Sequence, residues 1–422
     1  MELVLTKRLM SSDSPVFIDD YIKTDGYLAL SKALKESSSE IIIDIIDKSK
    51  LRGRGGAGFL TNIKWKALPP IETSSRPRYL ACNFDEMEPG TFKDRVLIEG
   101  DPHQFIEGLI ITAFACKLDI GYVFVRGEYY KAAQIIKQAI GEAYAAGYLG
   151  KNILGSGWGF DLYIHTSAGR YICGEETALL NSLEGKRANP RSKPPYPQSS
   201  GLWGKPTIVQ NVETLSNIPH IVLKGADWFI GLSKCSDSGT KLYGASGKIN
   251  NPGIWELPMG TTIREILDDY AKGMKEGYSF RAALPGGSST KFLDSSQLDL
   301  PLSFDTLKAN NLFFGTGEII VLDDKTCPVA LAHNLMKFYA RESCGWCTPC
   351  REGIPWINDL LYEIENGRGE SEDLELIRSQ ASYIGPNSFC AFAMGAMLPL
   401  QSAMEHFRED FEAHINDKKC PY

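Results

Sequence analysis

The sequence has no apolar run long enough to cross a membrane. A spanning helix needs about 18 uncharged apolar residues, and the most apolar stretch, residues 105–118, carries Glu107 and Lys117. Direct membrane insertion is therefore not expected. A basic surplus is also missing: 45 Lys and Arg against 52 Asp and Glu leave a net charge of -7, with no dominant basic stripe. This argues against a nucleic-acid partner. The opening Met1-Glu2-Leu3-Val4 has neither the basic start and apolar core of a secretory signal nor the Arg/Ser-rich, acid-poor character of a transit peptide. A bacterial cytoplasmic protein is the simplest expectation, a processed organellar one the alternative. Internal repeats and low-complexity segments are lacking too.

What is present suits an ordinary globular protein: 422 residues, 43% hydrophobic and 23% charged, long enough for two or three cores and a large buried cofactor. Six of the 10 cysteines are dispersed, at 82, 116, 173, 235, 327 and 420. Such residues in an unsecreted chain are usually small buried hydrophobes. Three others crowd into one heptapeptide, Cys344-Gly-Trp-Cys347-Thr-Pro-Cys350.

Along the chain, residues 40–51 read as a helix running into the glycine-rich Arg52-Gly53-Arg54-Gly55-Gly56-Ala57-Gly58-Phe59. Strands are expected at 78–82, 121–126 and 161–165, with helices at 105–118 and 130–146 between them. This βαβ alternation implies a parallel sheet with helices on it. A further helix begins after Cys173-Gly174-Glu175-Glu176. The stretch 187–206, with prolines at 190, 194, 195, 197 and 206, is expected to be a long loop, neither helix nor central strand. Beyond about residue 223 the pattern changes to hairpin strands at 240–246 and 253–256 and a helix at 262–271, which fits a small β-grasp-like α+β module. From 329 onward helical patterns dominate, giving a bundle of about four helices.

The cysteine heptapeptide carries the clearest chemistry. C-x2-C-x2-C sets three thiolates in one short loop, which suits three corners of a cubane cluster whose irons each take one soft anionic ligand. Cys390, in the turn Gly385-Pro386-Asn387-Ser388-Phe389-Cys390, is the best fourth ligand; Cys327, before a proline, and Cys420, near the chain's end, are weaker ones. Structural zinc is the rival, but its sites usually use paired C-x2-C knuckles rather than a triplet and a distant single. The glycine loop fits G-x-G-x-x-G without the preceding strand that the dinucleotide fingerprint requires. Its glycines still allow close backbone approach to phosphate, and Arg52, Arg54 and Lys64 supply positive charge. Acidic groups cluster beside Asn83 after one expected strand end, at Asp85, Glu86 and Glu88, and again at Glu175 and Glu176, where Cys173 is expected to end a strand and open a helix whose N-terminus favours a ligand anion. Together with the glycine loop they outline one pocket, since ligands of such folds sit at strand ends. Tyr196 or Phe59 could stack on a nicotinamide or adenine ring, and Lys193 could meet a pyrophosphate.

The segments LRGRGGAGF, DEMEPGTFKDR, GRYICGEETALLNSLEGKRANPR, GLWGKPT, NVETL and ESCGWCTPCREG together resemble the NADH-binding flavoprotein subunits of respiratory complex I, from about Leu51 to about Phe411. The resemblance implies a Rossmann-like FMN- and NADH-binding domain at 1–225, a ubiquitin-like β-grasp domain at 226–325 and a four-helix bundle at 326–422 holding a [4Fe–4S] cluster on Cys344, Cys347, Cys350 and Cys390. It implies that FMN is held by Gly53, Arg54, Gly55, Gly56, Ala57, Gly58, Lys64, Asn83, Asp85, Tyr171, Gly174, Glu175, Gln210, Asn211 and Thr214. NADH would be met by Phe59, Lys64, Glu86, Glu88, Glu176, Lys193 and Tyr196, with Glu86 and Glu176 adjusting flavin potential and nucleotide affinity. Gln210 stands where a second Asn is usual, and Tyr196 where a Phe is common. The implied partners are a [2Fe–2S] thioredoxin-like subunit and a large iron–sulfur subunit, at the cytoplasmic face of the bacterial inner membrane or the mitochondrial matrix side. The diaphorase subunit of a soluble hydrogenase or formate dehydrogenase is an alternative assembly, and a zinc-held scaffold an alternative class.

Overall fold

The computed structural model describes residues 2–11 and 14–422. It divides into two compact units, one of residues 1–87, 92–243 and 255–261, the other of 88–91, 244–254 and 262–422. The chain changes unit within β5 (Thr240–Ser246) and β6 (Gly253–Pro258).

In the first unit, β1 (Tyr79–Phe84), β2 (Ile120–Val125), β3 (Asp161–Thr166) and β4 (Thr207–Asn211) form a wholly parallel sheet in the order β3-β2-β1-β4. The near-continuous burial of β1 and β4 matches a sheet covered on both faces. Helix α1 (Ser39–Ser49) starts on Ser38, whose hydroxyl accepts the Ile41 amide, and α2 (Thr61–Lys66) follows the glycine loop. Helices α3 (Lys93–Gly100) and α4 (Pro102–Ala115) lie between β1 and β2 in sequence. Asp101 caps α4 by accepting the Gln104 amide at 3.2 Å, and Pro102 takes the first turn, where its missing N–H is no loss. Almost every α4 residue is buried. Its Gly108 is needed because a Cβ there would come within 1.9 Å of the Leu215 carbonyl oxygen on α7 (Val212–Lys224). Helix α5 (Tyr130–Ala145) links β2 to β3, and α6 (Glu176–Leu183) lies between β3 and β4.

The order of the sheet matters for the site. From β1 the chain winds outward through β2 to β3 and then returns to β4 on the other side of β1. The carboxyl ends of β1 and β4, with Asn83 opposite Asn211, therefore flank a topological switch point, where ligands of open α/β sheets bind.

Two expectations need correction. The stretch 187–206 contains a one-turn helix, Pro197–Ser200, and a 3-10 turn, Leu202–Gly204; Pro197 starts the helix, the position a proline tolerates best. Cys173 is not at a strand end: β3 stops at Thr166, Gly169 takes a left-handed φ of 70°, and Tyr171–Gly174 is a 3-10 turn.

In the second unit, β5 pairs in parallel with β8 (Glu318–Asp323), and β7 (Phe280–Leu284) pairs with β8 antiparallel, giving the order β6-β5-β8-β7. The helices expected after 329 are α8 (Pro328–Glu342), α9 (Thr348–Glu365), α10 (Ser371–Asn387) and α11 (Ala391–His406), with a shorter fifth, α12 (Arg408–Asn416). No helix of the described residues is long and apolar enough to cross a membrane.

Candidate functional site

The glycine loop is fixed to the switch point by its own backbone. The Arg54 amide donates to Thr214 Oγ1 at 2.8 Å. A Cβ on Gly55 would stand 3.2 Å from Asn211 Cβ, so the loop runs close against the end of β4. Gly56 and Gly58 take φ values of 123° and 64°, a region that side chains rarely adopt. The Arg54 side chain is fully buried; Nη2 donates to the Ser238 carbonyl at 2.6 Å and Nη1 approaches Met259 Sδ at 3.3 Å. Its backbone lies at the switch point while its guanidinium anchors the loop within the core.

The acidic residues divide by role. Asn83 Oδ1 accepts the Asp85 amide at 2.9 Å, shaping the turn after β1, and Asp85 is buried. The Glu86 carboxylate accepts the Asp94 and Arg95 amides at 2.8 and 3.3 Å, at the start of α3, and the Tyr129 hydroxyl at 3.1 Å. Burial, and next the Asp94 carboxylate, push its pKa up to about 7. Glu88 falls in the second unit, where it accepts from Ser288 Oγ at 2.9 Å and the Ser289 amide at 2.7 Å. The structure gives Glu88 a tethering role there.

At the opposite lip, Glu175 and Glu176 differ sharply. Glu175 is the N-cap of α6, its carboxylate accepting the Thr177 and Ala178 amides at 2.9 Å each. The helix N-terminus expected to attract a ligand anion is thus occupied by the chain's own carboxylate. Glu176 instead bridges two lysines: Lys64 Nζ at 2.8 Å and Lys193 Nζ at 2.8 Å, Lys193 also reaching Glu175 at 3.0 Å. Burial opposes ionisation of Glu176, yet Lys64 and Lys193 hold its pKa below the usual carboxylate range. Lys64 also donates to the Val209 carbonyl of β4 at 3.3 Å, which joins this lip to the switch point. Phe59 and Tyr196 expose about half their surface.

A charged network unseen in the sequence underlies the pocket. Glu213, in the first turn of α7, is fully buried between Lys93 at 2.8 Å and Lys241 at 3.1 Å, and accepts the Leu242 amide at 2.9 Å. Burial alone would raise its pKa, but Lys241, Lys93 and Arg54 hold it down to about 2. Lys93 also meets Asp94 at 2.8 Å, and Asp94 accepts from Asn211 Nδ2 at 2.6 Å. The side chains of Asn211 and Glu213 are thereby fixed from behind.

Two observations test whether the pocket suits FMN. The Gln210 side-chain nitrogen, at the end of β4, is buried and has no hydrogen-bond partner among the described residues, so it can donate to a ligand acceptor. A Cβ on Gly174 would meet nothing within 4 Å; protein packing does not require this glycine, whereas a bound ring passing close by would. The residues fit the group.

In the second unit, the cysteine loop joins α8 to α9, with Gly345 at φ 74°. Cys347 is the N-cap of α9 and Cys350 lies in its first turn, while Cys390 is the N-cap of α11. Helix N-termini favour thiolates. The Phe389 amide, next to Cys390, donates to Cys347 Sγ at 3.4 Å, and Ser343 Oγ lies 3.2 Å from Cys350 Sγ. Burial pushes the Cys350 thiol up to about 12, reinforced by Cys347, Cys390 and Cys344. The sulfurs of Cys347, Cys390 and Cys344 thus all lie near enough to Cys350 to act on it. No cysteine among the described residues is in a disulfide.

A glycine-rich loop at a switch point and four cysteines at and beside helix ends are the arrangement of a flavin-dependent iron–sulfur oxidoreductase. Residues 46–220 match the Nuo51 FMN-binding domain family, and residues 330–414 the NADH-ubiquinone oxidoreductase-F iron–sulfur binding region. The F-subunit of NADH-quinone oxidoreductase in Escherichia coli is 53% identical over 412 residues, covering 97% of this chain and 92% of that protein. Its counterpart in Buchnera aphidicola of Acyrthosiphon pisum is 54% identical, covering 98% and 94%, and that of Mycobacterium bovis 45%, covering 94% and 89%. Among solved structures, a chain of NAD+-reducing [NiFe]-hydrogenase in the H2-reduced state superposes with a TM-score of 0.84 at 32% identity, covering 100% of this chain and 68% of that one. The chain belongs to the family of NADH-quinone oxidoreductase F-subunits.

Proposed function

We propose that this chain is the NADH-oxidising subunit of a respiratory NADH:quinone oxidoreductase, receiving hydride from NADH in the first unit and delivering single electrons through the thiolate centre of the second. The observation that carries the reading is the meeting of the Gly53–Gly58 loop, the β1 and β4 ends and the Lys64–Glu176–Lys193 lip at one switch point. FMN, when bound, supplies a two-electron acceptor that can pass electrons on one at a time. The chain's residues bind and orient. Loop amides of 55–58 would face the phosphate, those of Gly53 and Arg54 being held by the Phe59 carbonyl and Thr214 Oγ1; Gln210, Asn211 and Thr214 would hold the polar ring edge, with Gly174 leaving room beside it. Phe59 and Tyr196 stack on NADH rings, and Lys64 and Lys193 meet its phosphates at the cost of their pairing with Glu176. No side chain has to move a proton for hydride transfer itself.

The cluster ligands are Cys344, Cys347, Cys350 and Cys390, tuned by nearby amides and by burial. Within this reading the chain serves as three segments: flavin and nucleotide binding at 1–225, a β-grasp-like module at 226–325 and the cluster-bearing bundle at 326–422. Its partners are a [2Fe–2S] thioredoxin-like subunit and a large iron–sulfur subunit, on the cytoplasmic side of the bacterial inner membrane. The assembly with hydrogenase is the second reading, favoured by the 0.84 TM-score to the NAD+-reducing hydrogenase chain; the identity to complex I relatives outweighs it.

The test is a reduced-minus-oxidised spectrum of the purified chain with NADH, with identification of the extracted flavin. FMN bleaching followed by cluster reduction is expected. A colourless zinc protein, or bleaching by reduced quinone but not by NADH, refutes the reading.

A further inference from the structure

Four residues that the cluster does not use converge at another point of the helical region. Cys327, Glu365, His414 and Cys420 each offer a ligand atom, and these atoms lie within 4.8 Å of one another. We propose that they form a second, structural metal site for zinc, with a Cys2HisGlu ligand set.

The distances carry the case. Around a tetrahedral zinc with bonds of about 2.3 Å to sulfur and about 2.0–2.2 Å to nitrogen and oxygen, neighbouring ligand atoms stand about 3.3–3.8 Å apart. Cys327 Sγ is 3.3 Å from His414 Nε2 and 3.5 Å from Glu365 Oε2, and that nitrogen and oxygen are 3.4 Å apart. Three of the tetrahedron's edges therefore already have the required length, and soft sulfur with imidazole and one carboxylate suits zinc rather than magnesium or calcium.

The donors are also oriented as ligands are. His414 Nδ1 lies 2.6 Å from the Asp410 carbonyl oxygen, an acceptor only, so Nδ1 carries the proton and Nε2 presents its lone pair to the site. That lone pair faces the Glu365 carboxylate oxygen. A metal ion between them satisfies both at that 3.4 Å separation, as a second proton on the imidazole otherwise would. The Ala330 amide donates to Cys327 Sγ at 3.2 Å where Cys327 caps the 15-residue helix α8, which partly offsets the burial and the neighbouring Glu365 and Cys420 that push this thiol up in the absence of a cation. Glu365 is the last residue of α9, an end where the helix dipole favours bound positive charge.

Cys420 is brought in by a fastened tail. Lys418 Nζ donates to the Gly369 carbonyl at 3.2 Å, and a Cβ on Gly367, at φ 69°, would lie 2.0 Å from the Lys418 carbonyl oxygen. The site thus ties the start of α8, the end of α9, helix α12 and the tail. It is distinct from the cluster: α8 and α9 carry Cys344, Cys347 and Cys350 at their other ends, about 22–27 Å away for 15 and 18 residues at 1.5 Å rise. Binding releases the two thiol protons and forms two Zn–S, one Zn–N and one Zn–O bond, with no electron transferred.

The experiment is metal analysis of the full chain, purified anaerobically with its cluster, alongside Cys420→Ser, His414→Gln and Cys347→Ala. About one zinc per chain is expected beside about four irons. Zinc should fall at least about tenfold in Cys420→Ser and His414→Gln with iron retained, and should persist in Cys347→Ala. Zinc K-edge absorption of the unmodified protein reads two sulfur and two lighter ligands even if a variant does not fold. Less than about 0.1 zinc per chain in iron-replete protein overturns the proposal. So do zinc lost only with Cys347→Ala, and a Cys327–Cys420 disulfide in the anaerobic protein.

Discussion

Replacing Glu213 by Gln keeps the shape and the acceptor for the Leu242 amide but removes the negative charge between Lys93 and Lys241. The carboxylate is held from its ordinary 4.5 down to about 2, which at about 1.4 kcal/mol per pKa unit amounts to about 3 kcal/mol. Breaking a buried ion pair independently costs about 3–5 kcal/mol. Lys93 keeps Asp94 at 2.8 Å, which places the loss at the lower end. For a unit of this size, about 3 kcal/mol lowers Tm by about 6–12 °C. The sign with pH follows from the depressed folded pKa: the stabilisation is complete above about 4.5 and lost as pH falls through about 2. Thermal unfolding of the two proteins by circular dichroism should therefore differ by a constant amount from pH 8 to pH 5. A loss under about 1 kcal/mol at pH 7, or a difference that changes across that window, refutes the account of this network.

Cys347→Ala should abolish the cluster's electron paramagnetic signal while NADH-to-ferricyanide turnover is partly retained; loss of all flavin with it would show that the two centres are not separable. Thr214→Val removes the acceptor of the Arg54 amide and leaves a buried donor unpaired, at about 1–3 kcal/mol, so FMN content per purified chain should fall about tenfold or more. Glu86, with a pKa near 7 against an ordinary 4.5, favours folding below pH 4.5 and loses that contribution as pH rises through about 7. Its ionisation adds a negative charge near an anionic nucleotide, so NADH affinity measured by titration should weaken about tenfold from pH 6 to pH 8, and Glu86→Gln should flatten that dependence.

Local signals were sufficient for β1 to β3, for α1, α4 and α5 and for the helices after 329, whereas β4, α7, β7 and β8 went unread. Alternating strands and helices, a glycine loop and strand-end carboxylates lie in short segments, and the parallel sheet brings them to one switch point. Glu175 was readable as a cap from its place three residues before the apolar Ala178-Leu179-Leu180 of α6, although the reading offered it only to a ligand. Glu88 shares a hexapeptide with Asn83 and Asp85, yet the chain passes into the other unit after Met87. The Glu213 network had no signal to read. Its lysines, 93 and 241, come from a helix start and a strand far apart in sequence, and buried lysines look like surface ones until a carboxylate is placed between them.

The contrast between the two cysteine groups comes from how a helical hairpin brings residues together. Cys344, Cys347 and Cys350 occupy one loop and the first turn of α9, so their convergence is local. Cys327 and Glu365 are 38 residues apart, and Cys327 and His414 are 87 apart. Yet α8 and α9 pack against each other around that same loop, and residues equally distant from a hairpin's turn lie level with one another. Cys327 precedes Cys344 by 17 positions (344 − 327), and Glu365 follows Cys347 by 18 (365 − 347). A cluster that closes one end of the hairpin therefore sets these two opposite each other at the other end. His414 and Cys420 are added by α12 and the tail that crosses there. The register that builds the first centre thus supplies half of the second, and a shift of one turn between α8 and α9 would dismantle both.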